Sequence, residues 1–386
     1  MVPIGVTTVS AVTTPTDGKT LYELVERYFA FGVHRTGTEV DHRTAAWMAD
    51  ELRDRGLTVQ PQTLPFDQWV AESTLTCDGE PVEHLAVPYE WEGTLDTSSV
   101  AVLESDDPHH GGRPEALAEP IAEAQAAGAD ALIVPTTHPE GSLRAVNRNP
   151  EAGVSGFPVV LAAGRDADRL RGGALHLALD ATTRPATTTN VLGRNQTEGQ
   201  PLILTTPLTG WFGCAGERGT GVAVFLHLVD ALADLPLLVN ATGGHELTWF
   251  GAQRWVEANA RIDAAALVHV GASVGVVEPG TGPDRELIAT RSARTSLPSP
   301  QAATMSEVLA PVGLDLRPDS ESWLGEAQTF CHLGIPLLSF TGAGRDFHCP
   351  EDTPARATTP RAMARVATAF EHAARELYEN AVKLSA

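Results

Sequence analysis

Seven side chains in the second half of the sequence are of the types that acid–base or metal chemistry uses. Glu217 and Arg218 stand side by side among glycines in PLTGWFGCAGERGTG. His245 and Glu246 follow in GGHE, His269 lies near the end of the apolar run AAALVHV, Glu326 in SWLGEAQTF and His348 in RDFHCPED. Imidazole nitrogens and carboxylate oxygens delivered by separate elements are what a Zn²⁺ site takes, because this borderline-soft ion accepts N and O donors. An imidazole also moves protons near neutrality, and a guanidinium offers a rigid fork of donors to a carboxylate or an oxyanion. Each residue alone has a plainer reading. His245 and Glu246 fit a helix cap and a first-turn acid, His269 a hydrogen-bonded core histidine, His348 a loop contact, and Glu217 with Arg218 a solvated pair. Their recurrence after successive apolar runs favours one shared cleft. Thr209 and Cys214 are nucleophile types in the first of these turns, but no motif sets a base beside either, and a threonine at a glycine turn usually caps. Cys349, next to His348, reads as packing.

The elements that must position these groups follow from periodicity. Residues 20–31 and 40–56 have apolar positions at helical spacing, the second run ending on Gly56, and LTVQPQTLPF reads as a strand,. From about residue 76 the texture becomes short: strands at SVAVLES, ALIVP and FPVVLAA around a helix through EALAEPIAEAQAAGAD,. Thr- and Pro-rich residues 182–189 read as a linker back to the larger unit,. Beyond them, PLILTT, PLLVNAT and AAALVHV alternate with helical runs at GTGVAVFLHLVDALADL and LTWFGAQRWVEANAR. Further strands at RELIATR and PLLSFTG precede a long terminal helix. Apolar strands alternating with helices predict a mixed, mostly parallel sheet in a three-layer αβα fold, with a small inserted α/β unit. In such a sheet the ligand site lies off the carboxyl ends of the strands, where the seven residues fall.

Composition limits the partners. Asp and Glu number 49 against 27 Lys and Arg, a formal net charge of -22, which repels nucleic acid and anionic membranes. A small molecule or a short peptide is the expected substrate class, and association into a homo-oligomer stays open. The four cysteines form no CxxC pair, so neither a zinc knuckle nor a disulfide framework is expected. With no basic, apolar leader and no run of about 18 apolar residues, the expected location is cytoplasmic.

HRTGTEVDHRTAAWMADELRDRGLTVQPQTLPF resembles the opening of the bacterial zinc aminopeptidase and glutaminyl cyclase superfamily. Residues 76–189 resemble its inserted protease-associated domain, in AEAQAAGADALIVP and FPVVLAAGRD. The resemblance covers nearly the whole chain and implies a catalytic unit over 1–75 and 190–386. AGERGTGVAVFLHLVDAL, GGHELTWFGAQRWVE and FHCPEDTP match the family's metal-site segments by position. The usual His-x-Asp is absent from TTPLTG, the bridging aspartate becomes Glu217, the general-base glutamate becomes His245, and a later aspartate becomes His269. The resemblance therefore implies one surviving zinc held by Glu217, Glu246 and His348, as in glutaminyl cyclases. It places His245 at the position of the family's general base; by their chemistry Glu326 or His269 could orient that imidazole or take a second proton, and Arg218 could bind a substrate carboxylate or stabilise an oxyanion. The expected function is hydrolysis of an amide or peptide-type bond in a small substrate. The alternatives are a cyclase or lyase at the same site, or a metal-free enzyme or binding protein in which Arg218 supplies the positive charge.

Overall fold

The computed structural model describes residues 17–104, 114–148, 150 and 155–385. Two helices come first, α1 (Gly18–Ala30) and α2 (Glu39–Asp54). Each begins on a side-chain cap: Asp17 accepts from the Lys19 N–H at 3.0 Å and Thr38 from the Asp41 N–H at 3.3 Å,. Next come β1 (Thr58–Cys77), β2 (Glu80–Pro81), β3 (His84–Ala86), β4 (Gly93–Thr97), β5 (Val100–Val102), α3 (Pro114–Ala126), β6 (Ala131–Pro135), β7 (Val159–Ala162), α4 (Ala167–Gly172) and β8 (Leu175–Arg194). The remainder alternates: β9 (Leu202–Pro207), α5 (Thr220–Ala231), β10 (Leu237–Thr242), α6 (Phe250–Ala258), β11 (Ala266–Val270), β12 (Ser292–Thr295) and α7 (Ser299–Leu309). It closes with β13 (Leu316–Arg317), α8 (Ala327–Phe330), β14 (Leu337–Thr341), α9 (Pro354–Ala357) and α10 (Pro360–Ser385).

Ten strands form one mixed sheet, ordered β13-β12-β14-β11-β9-β10-β8-β1-β2, with β4 also on β8. Its centre, β14-β11-β9-β10, is parallel. The central strands are apolar at both parities because both faces are covered. Leu202 and Leu204 of β9, Ala266 and Val268 of β11 and Leu338 and Phe340 of β14 pack with α1, α2, α5, α7 and α10. The intervening Ile203, Leu267 and Leu337 pack on the opposite face with Trp255 of α6 and Phe330 of α8. Burying one such side chain fully contributes roughly 1.5–3 kcal/mol. A second, four-stranded sheet, β3-β7-β6-β5, is formed by strands that lie between β1 and β8 in the chain. Among the described residues no helix is long and apolar enough to cross a membrane, and all four cysteines are free.

Three expectations from the sequence are corrected. Residues 182–189 are not a linker. They lie within the long strand β8, which pairs antiparallel with β1 from Thr58↔Arg194 to Cys77↔Leu175; β-branched threonines suit a pleated ribbon, and Pro185 lies opposite Asp67 in the same ladder. RELIATR forms only an isolated bridge between Val277 and Leu287, with the strand starting at Ser292. The segment containing His245 and Glu246 does not cap a helix, because α6 starts at Phe250 behind left-handed Trp249.

Candidate active site

The carboxyl ends of the central strands deliver the site. After β9 the chain passes Thr209 and enters a π-helical turn, Ala215–Gly219, before α5. Such turns are uncommon and recur at functional sites. Asp352 fixes this one: its carboxylate accepts the Gly216 N–H at 2.8 Å and the Glu217 N–H at 2.9 Å. A β-carbon on Gly216 would come 2.7 Å from Asp352 Oδ1, so the turn requires glycine there. After β10, Gly243 lies so close to Thr188 of β8 that a β-carbon would meet its hydroxyl oxygen at 2.2 Å. That approach sets the path of the next two residues, His245 and Glu246. Among the described residues, nine non-glycine residues have positive φ. Six of them, Phe212, Cys214, Thr248, Trp249, Ser273 and His348, lie in or beside these turns. Each such conformation costs on the order of 1–3 kcal/mol, and strain of this kind gathers at functional sites.

Six of the seven predicted residues come together. Arg218 Nη2 is 2.6 Å from Glu217 Oε1, and His348 Nε2 is 3.2 Å from the same oxygen. Neither has the alignment of a directed hydrogen bond, so the Glu217 oxygens, Arg218 Nη1 and Nη2 and His348 Nε2 stay unsatisfied in that sense. Burial alone would raise the Glu217 carboxyl, but Arg218 and then His348 outweigh it and hold it at about 2. His245 Nδ1 is 3.0 Å from Glu326 Oε1, and the Thr242 hydroxyl donates to both Glu326 oxygens, at 3.0 and 2.9 Å. Burial, reinforced by Arg218, pushes His245 well below its usual value and keeps it neutral. Burial also raises Glu326, against the pull of His269 and Arg218. With Nδ1–H donated to Glu326, Nε2 is the basic atom of His245.

His269 lies on the α6 and α8 face of the sheet, its Nδ1 3.0 Å from the Thr205 hydroxyl and its ring centroid 5.4 Å from that of Phe330. Burial holds it at about 4, with Glu326 opposing. This folded value lies below the unfolded one, so His269 contributes stability near pH 7 that is lost as pH falls from about 6.5 towards 4. The loss is roughly 3 kcal/mol at the acid end. Asp352, raised to about 7 by burial, changes in the opposite direction over this range. The expected result is therefore a difference: between pH 6.5 and 4, wild type loses stability relative to His269→Gln. Urea unfolding of the two proteins across that range checks it; parallel curves would refute a neutral His269.

Two residues gain importance over their sequence reading. Thr209 is neither an isolated cap nor placed as a nucleophile. Its hydroxyl accepts the His245 N–H at 3.0 Å and the Thr36 hydroxyl at 3.2 Å, while its carbonyl accepts Arg218 Nε–H at 2.9 Å. It thus ties base and guanidinium into one frame. Asp352 was visible only as the acid of FHCPEDTP. Cys214 is buried against the Tyr28 hydroxyl at 3.4 Å, and burial raises its thiol well above the ordinary range, which suits packing. Residues of the segment between β6 and β7 bond to the chain beside the cluster. Ala145 exchanges a backbone N–H bond at 2.9 Å and a carbonyl contact at 3.1 Å with His348. Arg148 N–H donates to the Glu246 carbonyl at 3.1 Å, and Trp211 Nε1–H to Asn147 at 2.9 Å.

Glu246 is the residue not brought in. Its Oε1 accepts the Thr36 N–H at 2.7 Å and faces Arg35 at 3.6 Å. Among the described residues no three His, Cys, Asp or Glu side chains converge as a group able to hold a metal ion. The two carboxylates of the expected zinc set are each already balanced by a guanidinium, Glu217 by Arg218 and Glu246 by Arg35. A dication would be set beside two fixed positive charges in a buried region, where repulsion is poorly screened. The set Glu217, Glu246 and His348 therefore does not fit a zinc ion as the chain is folded.

No family model and no curated protein matches the chain by sequence. Solved structures do match by shape. A zinc aminopeptidase from Bacillus subtilis superposes with a TM-score of 0.72 at 18% identity over 95% of each chain. A peptidase precursor from Shewanella amazonensis gives 0.71 at 17% identity, over 93% of this chain and 92% of that one. Glutaminyl cyclase from Porphyromonas gingivalis gives 0.50 at 12% identity, over 94% and 98%. The chain shares the fold of these solved zinc aminopeptidase, peptidase and glutaminyl cyclase structures.

Proposed function

We propose that this buried cluster performs metal-independent acid–base chemistry on an amide or peptide-type bond of a small substrate, with Arg218 as its fixed positive charge. One observation carries this reading. The buried Arg218–Glu217 pair at 2.6 Å lies in the same electrostatic neighbourhood as the His245–Glu326 hydrogen bond at 3.0 Å. His245 Nε2 takes a proton from water or from a substrate amine, and Glu326 orients the ring and stabilises the imidazolium that forms. Arg218 Nη1, which makes no hydrogen bond within the protein, receives a carboxylate or the oxygen of a polarised carbonyl. A buried polar atom without a partner costs about 1–3 kcal/mol. A substrate that satisfies Arg218 therefore binds more favourably than one that does not. Hydrolysis is the primary outcome; attack by a substrate amine in place of water gives the cyclisation product from the same groups, and ¹⁸O-labelled water distinguishes the two.

The test is metal dependence. After dialysis against a chelator, turnover in a screen of aminoacyl and acidic amide substrates and the thermal midpoint are both expected to be unchanged on adding Zn²⁺. Activity that appears only with zinc, or a midpoint that zinc raises in wild type and not in Glu217→Gln, would overturn the reading.

A further inference from the structure

A larger cavity lies outside the cluster of Glu217, Arg218, His245 and Glu326. Its volume is about 760 Å³, within the range of about 300–1,000 Å³ typical of small-molecule sites. It opens between the β1–β8 ribbon, the start of α6 and the segment joining β3 to β4. Four aromatic rings, Phe66, Tyr89, Trp91 and Phe250, form its apolar wall, and Asp67 and Glu92 supply carboxylates at its rim.

The wall is built and held. The Phe66 and Phe250 rings meet at 6.0 Å with a 48° tilt. The Tyr89 hydroxyl donates to the Asp67 carbonyl at 3.0 Å and accepts the Trp69 N–H at 3.3 Å. Tyr89 also has a left-handed backbone, φ 61°, a conformation that persists only where the surroundings enforce it. These are features of a pre-formed surface, which loses little freedom when a ligand arrives.

Its charge selects the ligand. Glu92 is anchored by the Thr183 hydroxyl, and Asp67 is exposed at the mouth. Arg254, the cation among the lining residues, is balanced by Glu257 at 3.0 Å and lies 5.1 Å over the Phe250 ring. A cation thus already rests on one aromatic face of the box. Ring faces attract positive charge at up to about 6 Å, with the largest effect where water is displaced. An anion would instead meet Asp67 and Glu92 on a chain of net charge -22. A neutral hydrocarbon would fill the wall and gain nothing from the two carboxylates.

We infer that this cavity is a binding site for a compact organic cation, a tertiary or quaternary ammonium group carrying an apolar or aromatic body. None of these six side chains belongs to the acid–base cluster, and the test reads ligand binding rather than turnover, so failure of one proposal is distinguishable from failure of the other. The probe is benzyltrimethylammonium, titrated into the full chain by calorimetry, with phenylacetate as the anionic counterpart of similar size. The cation is expected to saturate one site and phenylacetate to show no saturable binding. Trp91→Leu and Phe250→Leu, which lie on separate elements, are each expected to weaken the cation by roughly 5- to 30-fold, and Asp67→Asn to weaken it less. Circular dichroism identifies any variant that fails to fold, and the variant on the other element then carries the comparison. Absence of saturable cation binding, equal binding of phenylacetate, or affinity unchanged by the aromatic variants would each overturn the assignment.

Discussion

Replacing Arg218 with methionine is expected to cost the fold about 3–5 kcal/mol, the penalty typical of leaving one member of a buried ion pair alone. Both partners are 1% exposed, and Arg218 is the first of the charges that keep Glu217 ionised against its burial. Methionine has nearly the volume of the arginine stem, so the cost is electrostatic rather than a packing defect. The double variant Glu217→Gln with Arg218→Met is then expected to recover most of the loss, because it removes the stranded charge along with its partner. Denaturant unfolding of wild type, the single variant and the double variant measures both statements. A single variant within about 1 kcal/mol of wild type would mean that His348 alone compensates Glu217, and Arg218 could no longer be regarded as the site's essential cation.

His245→Ala is expected to reduce turnover of a responsive amide substrate by about 10²- to 10⁴-fold, the usual contribution of a positioned general base. Glu326→Gln keeps a hydrogen-bond acceptor for His245 Nδ1 and for Thr242, but removes the charge that would stabilise an imidazolium. It should therefore lower kcat more mildly and leave KM nearly unchanged, as expected of a positioning residue. Thr209→Val removes the hydroxyl that accepts the His245 N–H and is expected to fall between the two. Full activity in His245→Ala would transfer the proton-transfer role elsewhere and refute the assignment, whatever the substrate. A KM effect without a kcat effect would make His245 a binding residue.

The fold was legible for a local reason. The alternation of PLILTT, PLLVNAT and AAALVHV with helical runs is a pattern of burial, and burial on both faces leaves apolar residues at every parity along a strand. The corrected elements lacked such a pattern. Thr-rich 182–189 resembles a linker in composition, yet its pairing with β1 across more than a hundred residues makes it a strand. Such pairing over a long loop leaves no trace in a local window. RELIATR has strand-like composition, but only Leu287 of it forms a β-bridge, to Val277.

The candidate residues were legible as a set and not as a geometry. Glu217, Arg218, His245, His269, Glu326 and His348 fall at the strand ends where an open parallel sheet gathers its ligands, and they converge there. Glu246 sits next to His245 in the chain, yet its carboxylate turns to Thr36, 210 residues away, and to Arg35. Asp352 reaches back 136 residues to form the turn that holds Glu217. Residue types and their order along the chain thus determined by themselves a parallel αβα sheet, the turns that hold the cleft and an acid–base inventory within them, because hydrophobic periodicity is written locally. Only the tertiary structure decided which charge neutralises which. That choice, Glu217 with Arg218 and Glu246 with Arg35, is what the proposed metal-independent reading rests on, because carboxylates already balanced by buried positive charge have little to offer a dication,.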